Sequence, residues 1–306
     1  MDDSPDEPEL PRAVALAWGV AASPQRGPKR ELSIERIVEV AVRLADDGGL
    51  AAVSMAAIAG ELGVTSMALY RYVTSKDDLL VLMQEDGIGL PPEQIREAAT
   101  GGWRAGLEAW SIAMSAIYRE HPWLLDVPIE GTPTTPNNLA WLDVALEVLA
   151  AVPLDGEQKT SAILALIAQA RWESHIIRGY AQAMTAAGGD ADQLDRQTER
   201  MLGRLVSAEA LPHVHEALQT GVFSPDAAGD PFAFGRALVL DGLEALISGR
   251  VAPPVAPEVD PFAAVVERDP KVKEAVKARR EVEKHLREAR KRERDMRRNA
   301  RERARR

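Results

Sequence analysis

Between Ser54 and Lys76 the chain reads SMAAIAGELGVTSMALYRYVTSK, a run of hydroxyls, aromatic rings and cations spaced to meet a phosphate-lined groove. Ser54 carries a hydroxyl that can cap the open N–H groups of a helix. Met55, Ile58, Ala59 and Leu62 then recur at helical spacing as an inward stripe. Gly63 supplies the left-handed residue that a tight helix exit needs, and Val64 anchors the turn. Thr65 is placed to cap a second helix running to Val73. On that helix Leu69 and Val73 share one face, and Thr65, Ser66, Met67, Ala68, Tyr70, Arg71 and Tyr72 occupy the rest. One buried face for a partner helix and short, adaptable groups on the other suit a helix that enters the major groove. A plain helical hairpin would share the helix–glycine–helix order, so the flanks decide.

The flanks supply what such a pair needs. Ser33-Ile34-Glu35-Arg36 opens a helix whose apolar face runs Ile34, Ile37, Val38, Ala41, Val42 and Ala45, ending at Asp46-Asp47-Gly48-Gly49. Three helices of this length make a small DNA-binding unit. Thr74-Ser75-Lys76-Asp77-Asp78 starts a fourth, and Lys76 at its N-terminus can meet a phosphate alongside the helix dipole.

From Ile34 to Met83 the chain resembles the N-terminal domain of the TetR family of transcriptional repressors. The matching residues are Gly48 to Leu50, Ser54 with Met55, Ile58-Ala59 with Leu62-Gly63-Val64, Leu69-Tyr70 with Tyr72-Val73, and Lys76 with Leu79-Leu80. The resemblance implies that Thr65, Ser66, Met67, Ala68 and Arg71 face the groove of a double-stranded operator, and that Tyr70, Tyr72 and Lys76 hold phosphates. Some members carry a guanine-reading arginine shortly after the cap of the preceding helix; here that region is Met55-Ala56-Ala57. Base readout is then left to the recognition helix, where Arg71 is the only long cation.

The chain has 306 residues, enough for one small and one larger domain, and a net charge of −10. Aromatics are 5% and no stretch alternates strictly between polar and apolar, so an all-α fold is expected. There is no cysteine, which excludes disulfides and thiolate metal sites; no cofactor is implied. The N-terminus is acidic where a signal peptide would be basic, and no apolar run approaches the ~20 residues that cross a bilayer. A cytoplasmic protein with no membrane partner is expected. The acidity is unevenly placed: residues 267–306 hold 18 Lys/Arg against 9 Asp/Glu, a balance of +9, so the other residues sum to −19. Phosphate affinity must come from local cations rather than a global field. Arg26, Lys29 and Arg30 are placed either as a short arm on the phosphates or as a solvated linker.

Punctuation divides the chain. Residues 1–30 read as a disordered extension in which 13–22 can form a transient or docked helix, 31–83 as the helix-turn-helix domain and 84–250 as a helical ligand-binding and dimerisation domain. Helices are expected at 93–119, 137–151, 157–186, 190–219 and 231–249, followed by a linker at 251–266 and a basic helical tail at 267–306. His121-Pro122-Trp123-Leu124, Pro136-Asn137-Asn138-Leu139, Phe232 with Phe234-Gly235, and Leu240-Asp241-Gly242-Leu243 resemble the tetracycline-repressor type of C-terminal domain. That resemblance implies a homodimer built on helices 157–180 and 231–249, with a small ligand in each subunit. Bulky residues of the central helices are candidates to line the site for a small hydrophobic or aromatic ligand: Trp103, Trp110, Met114, Tyr118, Trp141, Trp172 and His175, with Tyr180 beyond them. Each would also serve as plain core. Trp172 with His175, a stacking surface and a polar handle, is the pair to test first.

His213 and His215 stand two apart, which on a helix points them away from one another, and no third ligand accompanies them, so no metal site is expected. No Ser-His-Asp order, paired-carboxylate pattern or glycine-rich phosphate loop argues for an enzyme. The expected protein is a ligand-responsive DNA-binding regulator, a repressor that leaves a palindromic operator when a small molecule binds. The alternatives are a ligand-independent architectural protein using the tail, and an α-helical enzyme or carrier. In the tail, pairs such as Glu283–Arg287 and Glu288–Arg292 support a helix, while its apolar residues are too sparse to specify a coiled coil.

Overall fold

Apolar residues at helical spacing fold as helices, and among the described residues of the computed structural model no strand interrupts them. The structure describes residues 10–20, 32–129, 131, 134–186, 188–221, 230–252, 266 and 268–304. Arg26, Lys29, Arg30 and most of the 251–266 linker lie outside these. Two units separate, residues 1–251 and 252–306.

In the first unit, α1 (Arg12–Ala17) buries Ala13 and Val14, and the indole N–H of the following Trp18 donates to the Thr134 carbonyl at 2.7 Å. Part of the N-terminal extension is therefore a docked helix, packed on α5. The head comprises α2 (Ile34–Gly48), α3 (Met55–Leu62), α4 (Ser66–Leu69) and α5 (Lys76–Ile88). Every apolar residue assigned to the inward face of α2 is buried, and Val40 joins them.

The body holds α6 (Gln94–Ala99), α7 (Trp103–Glu120), a 3-10 turn over Pro122–Asp126, α8 (Pro136–Val148), α9 (Gly156–Ala186), α10 (Ala191–Leu205), α11 (Pro212–Gln219) and α12 (Pro231–Ile247). Two long helices expected from sequence are each divided. Gly102, at φ 109°, breaks 93–119 into α6 and α7, because that dihedral cannot continue a right-handed helix. Pro212 takes the first position of α11, where its missing N–H is no loss, and so separates it from α10. Asp230 caps α12, its Oδ1 accepting from the Phe232 and Ala233 amides at 2.9 and 3.0 Å, and these bonds hold its carboxyl below the usual range. Helix α7 is the centre of the body, lying against α6, α8, α9 and α12.

The second unit is described by α13 (Pro270–Ala304), a single helix of 35 residues.

Candidate nucleic-acid interface and ligand-recognising core

The head assembles its outward face from capped helices and one left-handed glycine. Ser54 Oγ accepts from the Ala57 amide at 3.1 Å, and Gly63 ends α3 at φ 65°, ψ 29°. Ser66 Oγ reaches back to the Met55 carbonyl at 3.5 Å and fastens α4 to α3. Helical geometry then fails early: α4 covers only Ser66–Leu69 and continues as a turn through Tyr72, so the recognition element is shorter than the sequence spacing predicts. Leu69 and Val73 are fully buried. Thr65 sits at the cap position, yet its side chain makes no capping bond and is exposed. Met67 is 76% exposed and Tyr70 46%, Arg71 and Lys76 are exposed, and Ser66 and Ala68 are half-buried between them. Lys76 opens α5, whose cap is Ser75 accepting from Asp78 N at 2.9 Å.

Tyr72 departs from its assigned role. It is buried at 6% exposure and its hydroxyl donates to the Leu32 carbonyl at 3.2 Å. A hydroxyl whose proton is committed to a backbone oxygen cannot donate it to a phosphate, so this residue ties the entry of α2 to the recognition turn.

The ligand candidates divide. Trp110, Met114, Tyr118 and Trp141 lie together in the core between α7 and α8 or α9, with Trp103 half-buried at the start of α7. Trp110 donates its indole N–H to the Trp141 carbonyl at 2.9 Å, and the two rings meet edge-on with centroids 5.8 Å apart. Trp141 in turn donates to the Gly89 carbonyl at 3.1 Å. The Arg171 guanidinium stands 5.4 Å over the Tyr118 ring, whose phenol burial pushes above its ordinary value. Trp172 is a correction: it is 64% exposed, on the face of α9 that carries Leu164 and Ile176, opposite the buried Ile163, Leu166 and Ala170. Both faces of α9 are apolar in sequence, and only packing selects the inner one. His175 is half-buried, its Nδ1 lying 3.4 Å from Arg178, whose guanidinium grips Asp126 at 2.8 Å through both nitrogens. The Trp172–His175 pair therefore does not form a lining for the core.

Sequence reading missed the polar groups that do lie inside. Ser111 and Ser115 on α7, Glu173 and Ser174 on α9 and Arg236 on α12 are all buried. Arg236 Nη1 reaches Glu173 Oε2 at 3.5 Å and Arg119 stands 4.0 Å from the other oxygen. Ser174 donates to the Ala170 carbonyl, but Ser111 Oγ, Ser115 Oγ and Arg236 Nε make no hydrogen bond. Leaving such groups unpaired in a core costs about 1–3 kcal/mol each, which makes them available to a bound partner. The signal was the sharing of one helical face by Ser111, Ser115 and the bulky Leu107, Met114 and Tyr118. Serine among core residues was legible; its lack of a partner was not. Among the described residues no cluster of side chains could hold a metal ion.

Comparison with known proteins gives this geometry its family. Residues 37–83 match the model for bacterial regulatory proteins of the tetR family, and residues 97–247 match that for the tetracyclin repressor-like C-terminal domain. The chain is 36% identical over 246 residues to the HTH-type transcriptional repressor DrrR1 of Streptomyces coeruleorubidus, covering 79% of this chain and 88% of that one. The chain belongs to the TetR family of transcriptional regulators. Among solved structures, a possible TetR family transcriptional regulator from Streptomyces coelicolor A3(2) aligns with a TM-score of 0.54 at 26% identity, over 70% of this chain and 100% of its own. The Streptomyces coelicolor TetR family protein ActR, solved with actinorhodin, aligns at 0.56 and 22%, over 70% and 96%, a likeness of fold.

In this TetR-family chain, several contacts besides the Trp141–Gly89 bond fasten the DNA-binding head to the body. Asp46, near the end of α2, receives the Trp123 indole N–H on Oδ1 at 2.8 Å, with His121 Nδ1 at the same distance from that oxygen. Glu85 of α5 accepts from the Asn137 amide at 2.7 Å, a carboxylate set at the N-terminus of α8, while the Asn137 side chain donates to the Glu85 carbonyl at 2.8 Å. Gly87 faces the Trp123 ring, where a Cβ would come within 3.0 Å of it. The last turn of α5 is thus held by groups of the body. No described helix is long and apolar enough to cross a membrane.

Proposed function

We propose that the protein is a homodimeric repressor that reads a palindromic operator with Thr65, Ser66, Met67, Ala68 and Arg71 of each subunit, assisted by Tyr70 and Lys76 on phosphates. The observation that carries this reading is the segregation within 65–73: Leu69 and Val73 are fully buried while Met67, Tyr70 and Arg71 are exposed. One head makes few contacts, and pairing two on successive major grooves gives specificity. For the pair, α9 presents Leu164, Trp172 and Ile176, and α12 presents Phe234 and Leu238, all exposed at 43–66%. A stripe of this kind is covered when a second copy supplies the same two helices, as in a four-helix bundle about a two-fold axis.

The effector is a small, largely apolar molecule held in the body beside Trp110, Met114, Tyr118 and Trp141, with Trp103 at the margin. Ser111, Ser115 and Arg236 supply its polar recognition. The relative named as a repressor and the ActR complex with actinorhodin agree in kind with this reading. The route from effector to head is short: Trp110 holds the Trp141 backbone, Trp141 holds Gly89 at the end of α5, and α5 carries the head. An effector that favours the released conformer by about 1–3 kcal/mol lowers operator affinity by about 5–150-fold.

Footprinting of the full-length protein on genomic fragments tests the reading. Protection of an inverted repeat, relieved by a hydrophobic or aromatic compound, is expected. Equal protection of every fragment would overturn the repressor reading in favour of an architectural one.

A further inference from the structure

Helix α13 buries almost nothing. Among its described side chains only Val272 and Val276 are half-buried and the rest are exposed, so the sequence was not selected for a core contact within its unit. Its charges are ordered all the same. Lys273, Lys277, Arg280, Lys284, Arg287 and Lys291 follow one another at alternating steps of four and three residues, the spacing that keeps side chains on one face of a helix. All six are exposed, and no acidic residue interrupts the series. The sequence continues it with arginine at 294 and 298, while Asp295 and Glu302 bring acidic residues to the same face. Glu274, Glu281 and Glu288, each seven residues from the next, keep to a neighbouring strip, where Glu288 pairs with Arg292 at 3.8 Å.

A cation every ~3.5 residues places one charge about every 5 Å over ~27 Å of helix between Lys273 and Lys291. That is a linear array suited to a linear polyanion. The other side of the helix bears Ala275, Ala278 and Ala289 with Val282 and Leu286, too little apolar bulk for insertion into a bilayer interface. Pairing with a second α13 would oppose two segments that each hold 15 Lys/Arg against 7 Asp/Glu, a balance of +8. The stripe also lies outside both family-matched regions, which end at 83 and 247.

We propose that α13 is a second, sequence-independent DNA-binding element that lays this stripe along the phosphate backbone of a duplex, while the head reads sequence. It supplies a positive field that the other residues, which sum to −19, lack.

The test uses full-length protein and a random-sequence duplex, so that it does not depend on an operator. One variant carries Lys277→Gln, Arg280→Gln, Lys284→Gln and Arg287→Gln; a charge-matched variant carries Lys271→Gln, Arg279→Gln, Arg290→Gln and Arg292→Gln off the stripe. Both keep Tyr70 and Arg71, and circular dichroism checks that helix content is retained. The salt dependence of log Kd is expected to flatten by about 3–4 for the stripe variant and by less than about 1 for the other, since each phosphate contact contributes ~0.9 to the slope. An unchanged slope overturns the proposal, and equal flattening in both variants overturns the assignment to this face. Loss of binding to phosphatidylserine vesicles with an unchanged duplex slope would assign the stripe to a membrane surface instead. Random-duplex binding that flattens as expected while genomic footprinting finds no operator would leave this proposal standing and remove the repressor reading.

Discussion

The Asp46 carboxylate and the Trp123 indole N–H, separated by 77 residues of sequence, meet at 2.8 Å and join the last turn of α2 to the body. Asp46→Ala leaves a nearly buried donor without a partner. A loss of about 1–3 kcal/mol in urea unfolding is expected, together with a weaker effector response at unchanged operator half-site preference. Wild-type stability would show that water replaces the carboxylate and that the contact does not couple head to body.

Tyr70 and Tyr72 together test whether DNA contact and folding rest on different rings. Tyr72→Phe removes the bond to the Leu32 carbonyl and should cost about 0.5–1.5 kcal/mol of stability with little loss of DNA retention beyond it. Tyr70→Ala, at an exposed ring, should leave the unfolding midpoint near wild type and weaken retention on every duplex. The reverse pattern would exchange the two roles.

Ser111 offers a test of the polar interior. Its hydroxyl is fully buried and unpaired, so Ser111→Ala should leave stability unchanged or raise it, by up to about 1 kcal/mol. The effector concentration giving half-maximal operator release should rise. A variant that unfolds more easily would mean that the hydroxyl has a partner in solution.

Trp172 and Leu238 are the exposed centre of the α9–α12 face. Trp172→Lys with Leu238→Lys should convert a dimer into a folded monomer, read by sedimentation, and reduce operator affinity far more than random-duplex affinity. An unchanged sedimentation coefficient would place the dimer contact elsewhere.

Asp86 on α5 contributes a pH dependence of its own. Burial raises its carboxyl above the ordinary range, His121 opposes the rise and Glu39 adds to it. For an acid with a raised folded pKa, the stabilising form is the protonated one. That contribution is full below the unfolded value of about 4 and is lost as pH rises through the raised value. Asp86→Asn should therefore raise Tm at about pH 7, with the gain shrinking toward about pH 4. A gain independent of pH would point to packing rather than ionisation.

The sequence alone determined what depends on neighbours along the chain. Ser33 and Ser54 cap helices because each stands one residue before an apolar-periodic run, and Gly63 turns because no side chain opposes φ 65°. The buried set of Leu69 and Val73 follows from spacing, as does the outward set of Met67, Tyr70 and Arg71. Tertiary structure decided what depends on distant partners. Tyr72 turned inward because the Leu32 carbonyl, 40 residues earlier, comes within reach of its hydroxyl. Trp172 turned outward because α7 packs against one of the two apolar faces of α9, a choice that periodicity leaves open. Asp46 with Trp123, Glu85 with Asn137, and the unpaired Ser111 and Ser115 were invisible for the same reason. Hydrogen bonding and burial are properties of pairs, and a linear sequence states only the members.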